Sequence, residues 1–176
     1  QWAIIGLRKG KPQMANFDMP GYAFDRTESR AAADWDTLAR MRDLWPGKLV
    51  VKGVLDVEAA VMLKDKGVDA NQVSSRGARQ LESAPSPFVM LPLIREAVGP
   101  DFPLFFDSGL RSGEDALKAL VAGADFTFFG RILQFAIAAG GEAGLNRLWD
   151  VLSDEMSIAM AQTGMCSLDK ARASVS

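Results

Sequence analysis

Histidine is absent from all 176 residues. That excludes histidine metal ligands, serine–histidine triads and histidine general bases supplied from within this chain, and no metal is expected. Cysteine occurs once, at Cys166, so no intramolecular disulfide forms. With no secretory leader visible, the cytoplasm is the expected compartment. Neither sign of charge dominates. Twenty Lys and Arg against 22 Asp and Glu leave a net charge of −2, with no basic stripe, which argues against nucleic acid as a partner. No apolar run is long enough to span a membrane.

Hydrophobic residues make up 48% of the chain, enough for a sizeable core in a single domain over residues 1–176. The opening, Gln1-Trp2-Ala3-Ile4-Ile5-Gly6-Leu7, is apolar, without an initiator methionine or a helix cap, and reads as following lost residues. Residues 8–33 mix Gly, Pro and charge without periodicity and read as a long irregular connection. Trp35 to Leu44 has a helical pattern with Leu38, Met41 and Leu44 on one face, stopped by Trp45-Pro46-Gly47.

The rhythm then becomes regular. Strands are expected over residues 48–53, 68–75, 103–107 and 125–129, with helices over 57–66, 90–98 and 113–121 between them. A short apolar helix, 133–139, follows the last strand, and a longer one covers 142–162. Buried strands joined by helices of this length indicate parallel βαβ crossovers. Four such units are half of a (βα)8 barrel. An open four-stranded sheet is the alternative, but its edges would be exposed to pairing.

Each strand ends in a polar cluster: Lys52; Ser74 to Arg79; Asp107, Gly109 and Arg111; and Gly130 with Arg131. In barrels of this class a phosphate is often held by the last two strand-to-helix loops and the amino end of a short extra helix. The two Gly–Arg turns and the 133–139 helix fit that arrangement, with glycines letting the backbone approach and arginines supplying paired donors. The alternative is that they are ordinary turns with solvated arginines. Lys52 is either a solvated strand-end charge or a group that stabilises negative charge on a ligand. Arg76 and Arg79 suit a carboxylate or a surface ion pair equally well, and Asp107 orients another side chain or caps its turn.

The segments KLVVKG, VSSRGARQLESAPSP, PLFFDSGLRSGEDALKAL and GADFTFFGR, in that order and with the tail AIAAGGEAG, resemble the carboxyl-terminal half of the FMN-dependent α-hydroxy acid dehydrogenases and oxidases. The resemblance runs from about Leu44 to Gly164, and more loosely over RKGKPQMANF. It implies a (βα)8 (TIM) barrel, of which this chain supplies strands five to eight and the carboxyl-terminal helix. It implies FMN as cofactor and a small 2-hydroxy acid, oxidised to a 2-oxo acid, as substrate. Lys52 would stabilise negative charge on reduced flavin, and Ser74 would lie near the same ring. Arg79 would hold the substrate carboxylate, and Asp107 would orient the catalytic base. Gly109, Arg111, Gly130 and Arg131 would bind the FMN phosphate. Residues 1–34 would be the variable loop that in some relatives meets a membrane or redox partner, and a homo-oligomer is expected.

One departure bears on mechanism. The family's S-N-H-G-G-R carries the histidine base, whereas this chain reads Ser74-Ser75-Arg76-Gly77-Ala78-Arg79. A guanidinium, already protonated, does not accept the substrate proton, so impaired turnover is expected, with Arg76 pairing with Asp107. A second reading is a non-catalytic half-barrel that binds FMN or another phosphate through Arg111 and Arg131, or a degenerate fragment that dimerises through its edge strands. A third is another phosphate-binding (βα)8 enzyme; Lys52 and the R-Q-L-E segment argue against it.

Overall fold

The computed structural model describes residues 34–79 and 81–173. The expected connection over residues 8–33 and the variable loop up to residue 33 lie outside the described residues. The chain divides between Leu38 and Ala39, and the sheet with its covering helices belongs to the part beginning at Ala39.

Helix α1 (Trp35–Leu44) begins where Asp34 Oδ1 accepts the Thr37 N–H at 2.8 Å, an N-cap that satisfies a donor the helix cannot. None of its residues is buried, and Met41 and Leu44 on the expected apolar face are exposed. The carboxyl end is tied down by charge instead. Arg42 donates to the Trp45, Gly47 and Gly67 carbonyls and to Asp69 Oδ2.

The regular part runs β1 (Val50–Lys52), α2 (Val57–Asp65), β2 (Ala70–Val73), α3 (Pro87–Val98), β3 (Leu104–Phe106), α4 (Gly113–Val121), β4 (Phe126–Thr127). Helices α5 (Arg131–Gln162) and α6 (Leu168–Ala173) complete it. The strands form one sheet in the order β1-β2-β3-β4, every neighbouring pair parallel. Lys52 is level with Gln72, Gln72 with Phe105, and Phe105 with Phe126.

Alternation along the strands sorts the side chains between two faces. Asn71, Val73, Leu104 and Phe106 are buried, with Leu63, Leu91, Ile94 and Val98 of the helices also fully enclosed. The row Lys52–Gln72–Phe105–Phe126 belongs to the opposite face, where Lys52 and Phe126 are exposed. The core therefore lies on one side of the sheet only.

Local chemistry sets the helix starts. Asp56 Oδ1 accepts from the Ala59 N–H for α2, and Ser112 Oγ accepts from the Asp115 N–H for α4. Helix α3 starts earlier than the sequence pattern indicated, at Pro87, since proline fits the first turn where no N–H partner is required. Helix α5 is broken at Gly140 and Gly141, the latter with φ of 58°, which separates the expected short helix from the long one. Helices α4 and α5 touch backbone to backbone. A β-carbon on Gly113 would fall 2.0 Å from the Leu152 carbonyl oxygen, and the Gly113 N–H donates to Glu155 Oε2 at 2.8 Å.

Candidate functional site

All four polar clusters end parallel strands of one sheet, so they share its carboxyl-terminal rim, where such folds place ligands. Three adjacent strands converge on Asp107. Its Oδ2 accepts from Lys52 Nζ at the end of β1 and from Gln72 Nε2 of β2, the latter at 3.0 Å. The Ser108 hydroxyl donates to Oδ1 at 3.2 Å and accepts from the Ser75 N–H at 3.1 Å. With both oxygens engaged, the carboxylate is fixed in place.

The turn after β2 is strained. Arg76, Gly77 and Ala78 all have positive φ, at 54°, 71° and 58°. For non-glycine residues that costs on the order of 1–3 kcal/mol each and persists only where surroundings enforce it. Two contacts do so here. Ser74, buried, accepts from the Arg76 N–H on its Oγ at 3.0 Å, and Arg76 Nη2 donates to the Lys52 carbonyl at 3.0 Å. Arg79 Nε in turn donates to the Arg76 carbonyl at 3.4 Å.

The structure thus brings Lys52, Ser74, Arg76, Arg79 and Asp107 into one hydrogen-bonded neighbourhood. The pairing within it differs from expectation. Among the described residues the ion-pair partner of Asp107 is Lys52, not Arg76. The left-handed turn carries the Arg76 side chain across to β1, leaving Lys52, level with Gln72 on the same face, to reach the carboxylate. Gln72 and Ser108 escaped the sequence reading, and Ser75 appeared there only as part of the Ser74–Arg79 cluster. Gln72 carried a signal: it lies two residues before Ser74, hence on the same face of the strand.

The two Gly–Arg turns follow β3 and β4. Gly109 has φ of 86° and follows Ser108 at 91°. Arg111 is exposed, and its backbone N–H is held by Asp115 Oδ2 at 2.9 Å. Arg131 is the first residue of α5, exposed, after Gly130. No hydrogen bond among the described residues ties the side chains of Arg111 or Arg131 to the Lys52–Asp107 cluster.

Whether a flavin phosphate fits can be asked of the turns themselves. A β-carbon added to Gly109 or to Gly130 would meet no atom within 4 Å, so both turns face open space. Two exposed guanidinium groups, glycine backbone and the amino end of a helix form a donor set suited to a phosphate monoester dianion. The residues present fit the group.

Parallel order, strand number and a ligand-type rim define the class: one half of a (βα)8 barrel, with its cationic groups at the carboxyl ends of the strands. The chain belongs to the FMN-dependent dehydrogenase family, matched over residues 5–176, and FMN is that family's cofactor. It is 44% identical over 131 residues to an L-lactate dehydrogenase of Caulobacter vibrioides, covering 74% of this chain and 34% of that protein. An L-lactate dehydrogenase of Vibrio cholerae is 41% identical over 134 residues, covering 76% and 35%. Among solved structures, a mandelate oxidase superposes with a TM-score of 0.75 at 36% identity, over 80% of this chain and 41% of that one. A glycine-to-alanine mutant of the active chimera of (S)-mandelate dehydrogenase gives 0.78 at 36% identity, over 90% and 44%. The chain spans about a third of the length of the curated relatives it matches. No helix among the described residues is long and apolar enough to cross a membrane.

Proposed function

We propose that this chain is the flavin-phosphate and substrate-carboxylate half of an FMN-dependent oxidoreductase that converts a small 2-hydroxy acid to a 2-oxo acid. Turnover is impaired because Arg76 stands where the base is needed. The observation that carries this reading is the convergence of Lys52, Gln72 and Asp107 from three neighbouring strand ends beside the Ser74–Arg79 turn.

Bound FMN supplies the hydride acceptor. Arg111 and Arg131, with the turns at Gly109 and Gly130, hold its phosphate. Lys52 and the buried Ser74 would face the flavin ring, where an ammonium would offset negative charge. Arg79 takes the substrate carboxylate through paired N–H donors. Oxidation of the alcohol requires its hydroxyl proton to leave. Asp107 already accepts from Lys52, Gln72 and Ser108, and the Arg76 guanidinium carries its own proton, so no poised base receives it. The relatives named L-lactate dehydrogenase and mandelate oxidase support a small 2-hydroxy acid as substrate. The unpaired Cys166 agrees with a cytoplasmic setting.

The test is a flavin titration of the purified chain, followed by visible absorption and flavin fluorescence. The expected result is saturable binding that inorganic phosphate competes for. Replacing Arg131 by Ala weakens it by about 10–100-fold, the worth of a charge-assisted hydrogen bond. A chain that stays colourless in excess FMN overturns the proposal.

A further inference from the structure

We propose that Glu155 is a positioning residue of the phosphate site, the group through which α5 holds the loop carrying Arg111 at a fixed separation from the turn carrying Arg131. The inference rests on the reading of the two Gly–Arg turns as the seat of a flavin phosphate. It goes beyond that reading by naming what keeps the turns in register. A phosphate gripped by two guanidinium groups is held well only where both reach it at once, so the separation of the arms belongs to the site as much as the arms do.

The Arg111 arm is pinned residue by residue. Arg111 gives its backbone N–H to Asp115 Oδ2 at 2.9 Å, and Ser112 Oγ accepts from the Asp115 N–H at 3.0 Å. Those two bonds are local to the start of α4. The third is not. Gly113 is buried, and its N–H goes to Glu155 Oε2 at 2.8 Å, a carboxylate 42 residues further along the chain. Helix α5 approaches too closely for any side chain at position 113. A β-carbon there would fall 2.0 Å from the Leu152 carbonyl oxygen and 2.6 Å from the Met156 nitrogen.

The Arg131 arm is tied to the same helix. Arg131 is the first residue of α5, in the short part before the break at Gly140 and Gly141. That part lies directly against the long part, because a β-carbon on Gly144 would fall 2.2 Å from the Ala136 carbonyl oxygen. The path from one arm to the other therefore runs through two backbone-to-backbone contacts. Among the described residues, the Glu155 carboxylate supplies the hydrogen bond that joins α5 to the Arg111 loop.

Charge separates this holding role from ligand contact. The start of α4 already has Glu114 and Asp115 in its first turn, besides Glu155 on its Gly113 N–H. The start of α5 has no acidic residue in its first turn and no side-chain cap. An anion is favoured at the second of these and opposed at the first. Glu155 thus acts through the Gly113 backbone, while Arg111 reaches toward an anion seated by Arg131.

The experiment joins this chain to a relative's first half, so that the barrel is complete, and titrates the apoprotein with FMN and with riboflavin, which lacks the phosphate. Four forms are compared: wild type, Glu155→Ala, Glu155→Asp and Glu155→Gln. The wild type should prefer FMN. Glu155→Ala and Glu155→Asp, which do not reach the Gly113 N–H, should lower that preference by about 10-fold, the worth of a hydrogen bond to a charged group. Glu155→Gln, whose amide oxygen reaches as far, should keep it, and riboflavin affinity should be the same in all four. An unchanged preference in Glu155→Ala and Glu155→Asp overturns the inference. So does a loss shared equally by riboflavin, which would make Glu155 a support of the fold alone, and so do equal losses in Glu155→Gln and Glu155→Ala. A wild type that binds FMN no tighter than riboflavin overturns the phosphate reading itself, and this inference with it. If Glu155→Ala fails to fold, Glu155→Asp carries the comparison with the same expectations.

Discussion

The guanidinium of Arg76 lies so close to Gly53 that a β-carbon there would fall 2.6 Å from Nε and 3.2 Å from Nη2. Gly53 itself has φ of 99°, a backbone conformation that L side chains rarely adopt. One position thus lets β1 end and lets the turn after β2 lay its arginine across it. Gly53→Ala should destabilise the fold by about 1–3 kcal/mol through backbone strain, read as a lower urea midpoint at constant slope. It should also displace Arg76 from the Lys52 carbonyl. An unchanged midpoint would mean that this contact is slack in solution.

Asn71 is fully buried on the packed side of β2, and its Oδ1 has no hydrogen-bond partner among the described residues. Its Nδ2 reaches the Val54 carbonyl at 3.4 Å, a long bond. A buried acceptor left unpaired costs about 1–3 kcal/mol, and valine suits a buried strand better than asparagine. Asn71→Val should therefore stabilise the fold by about 1 kcal/mol, after the loss of the Val54 contact is counted. Thermal and urea unfolding should both move upward. A fall in stability would show that Asn71 meets a need that its hydrogen bonds do not reveal.

Much of this architecture is legible in the sequence, for identifiable reasons. Helix α4 was readable at both ends because Ser112 caps it and apolar residues recur at helical spacing up to Val121. The break in α5 was readable from Gly140-Gly141. Helix α3 starts three residues before the expected Met90, a start hidden because Ser-Ala-Pro-Ser-Pro reads as loop, and Pro87 and Pro92 obscure a helix that accommodates both. The rim residues were found because charge at the end of an apolar strand stands out. Their pairing was not. Which cation reaches Asp107 depends on the left-handed run Arg76–Ala78, and no propensity forecasts two non-glycine residues there. Likewise α1 shows an apolar stripe in sequence, yet its carboxyl end is held by Arg42 rather than by burial.

Acid stability carries a specific signature at the opposite end of the sheet. The Asp69 carboxyl is lowered from 3.8 to about 2, chiefly by the hydrogen bond from Lys48, then by the Leu49 N–H and Arg42. A folded-state value below the unfolded one means that the unfolded chain binds more protons in this window. Asp69 therefore contributes stability that is full above about pH 4 and is lost as the pH falls toward about 2. Urea titrations across that window should show the wild type losing stability more steeply than Asp69→Asn. Parallel curves would mean that the carboxylate contributes nothing to the pH dependence.

The last prediction concerns the base. Arg76 donates its backbone N–H to Ser74 Oγ and its guanidinium to the Lys52 carbonyl, and it accepts a proton in neither bond. An imidazole at this position is shorter and neutral for part of its population near neutral pH, so it can take a proton from a bound alcohol. Asp107, which follows β3, would have to accept a ring N–H in addition to Lys52, Gln72 and Ser108, once the Arg76 side chain no longer spans to β1. In a barrel completed with a relative's first half and loaded with FMN, Arg76→His should raise the turnover of 2-hydroxy acids by about 10²–10⁴-fold, the range typical of general-base catalysis. The gain should follow a single ionisation in its pH profile and leave flavin affinity unchanged, because Arg111 and Arg131 are untouched. Equal, negligible turnover in both forms would show that the defect lies elsewhere, for example in the grip of Lys52 on Asp107.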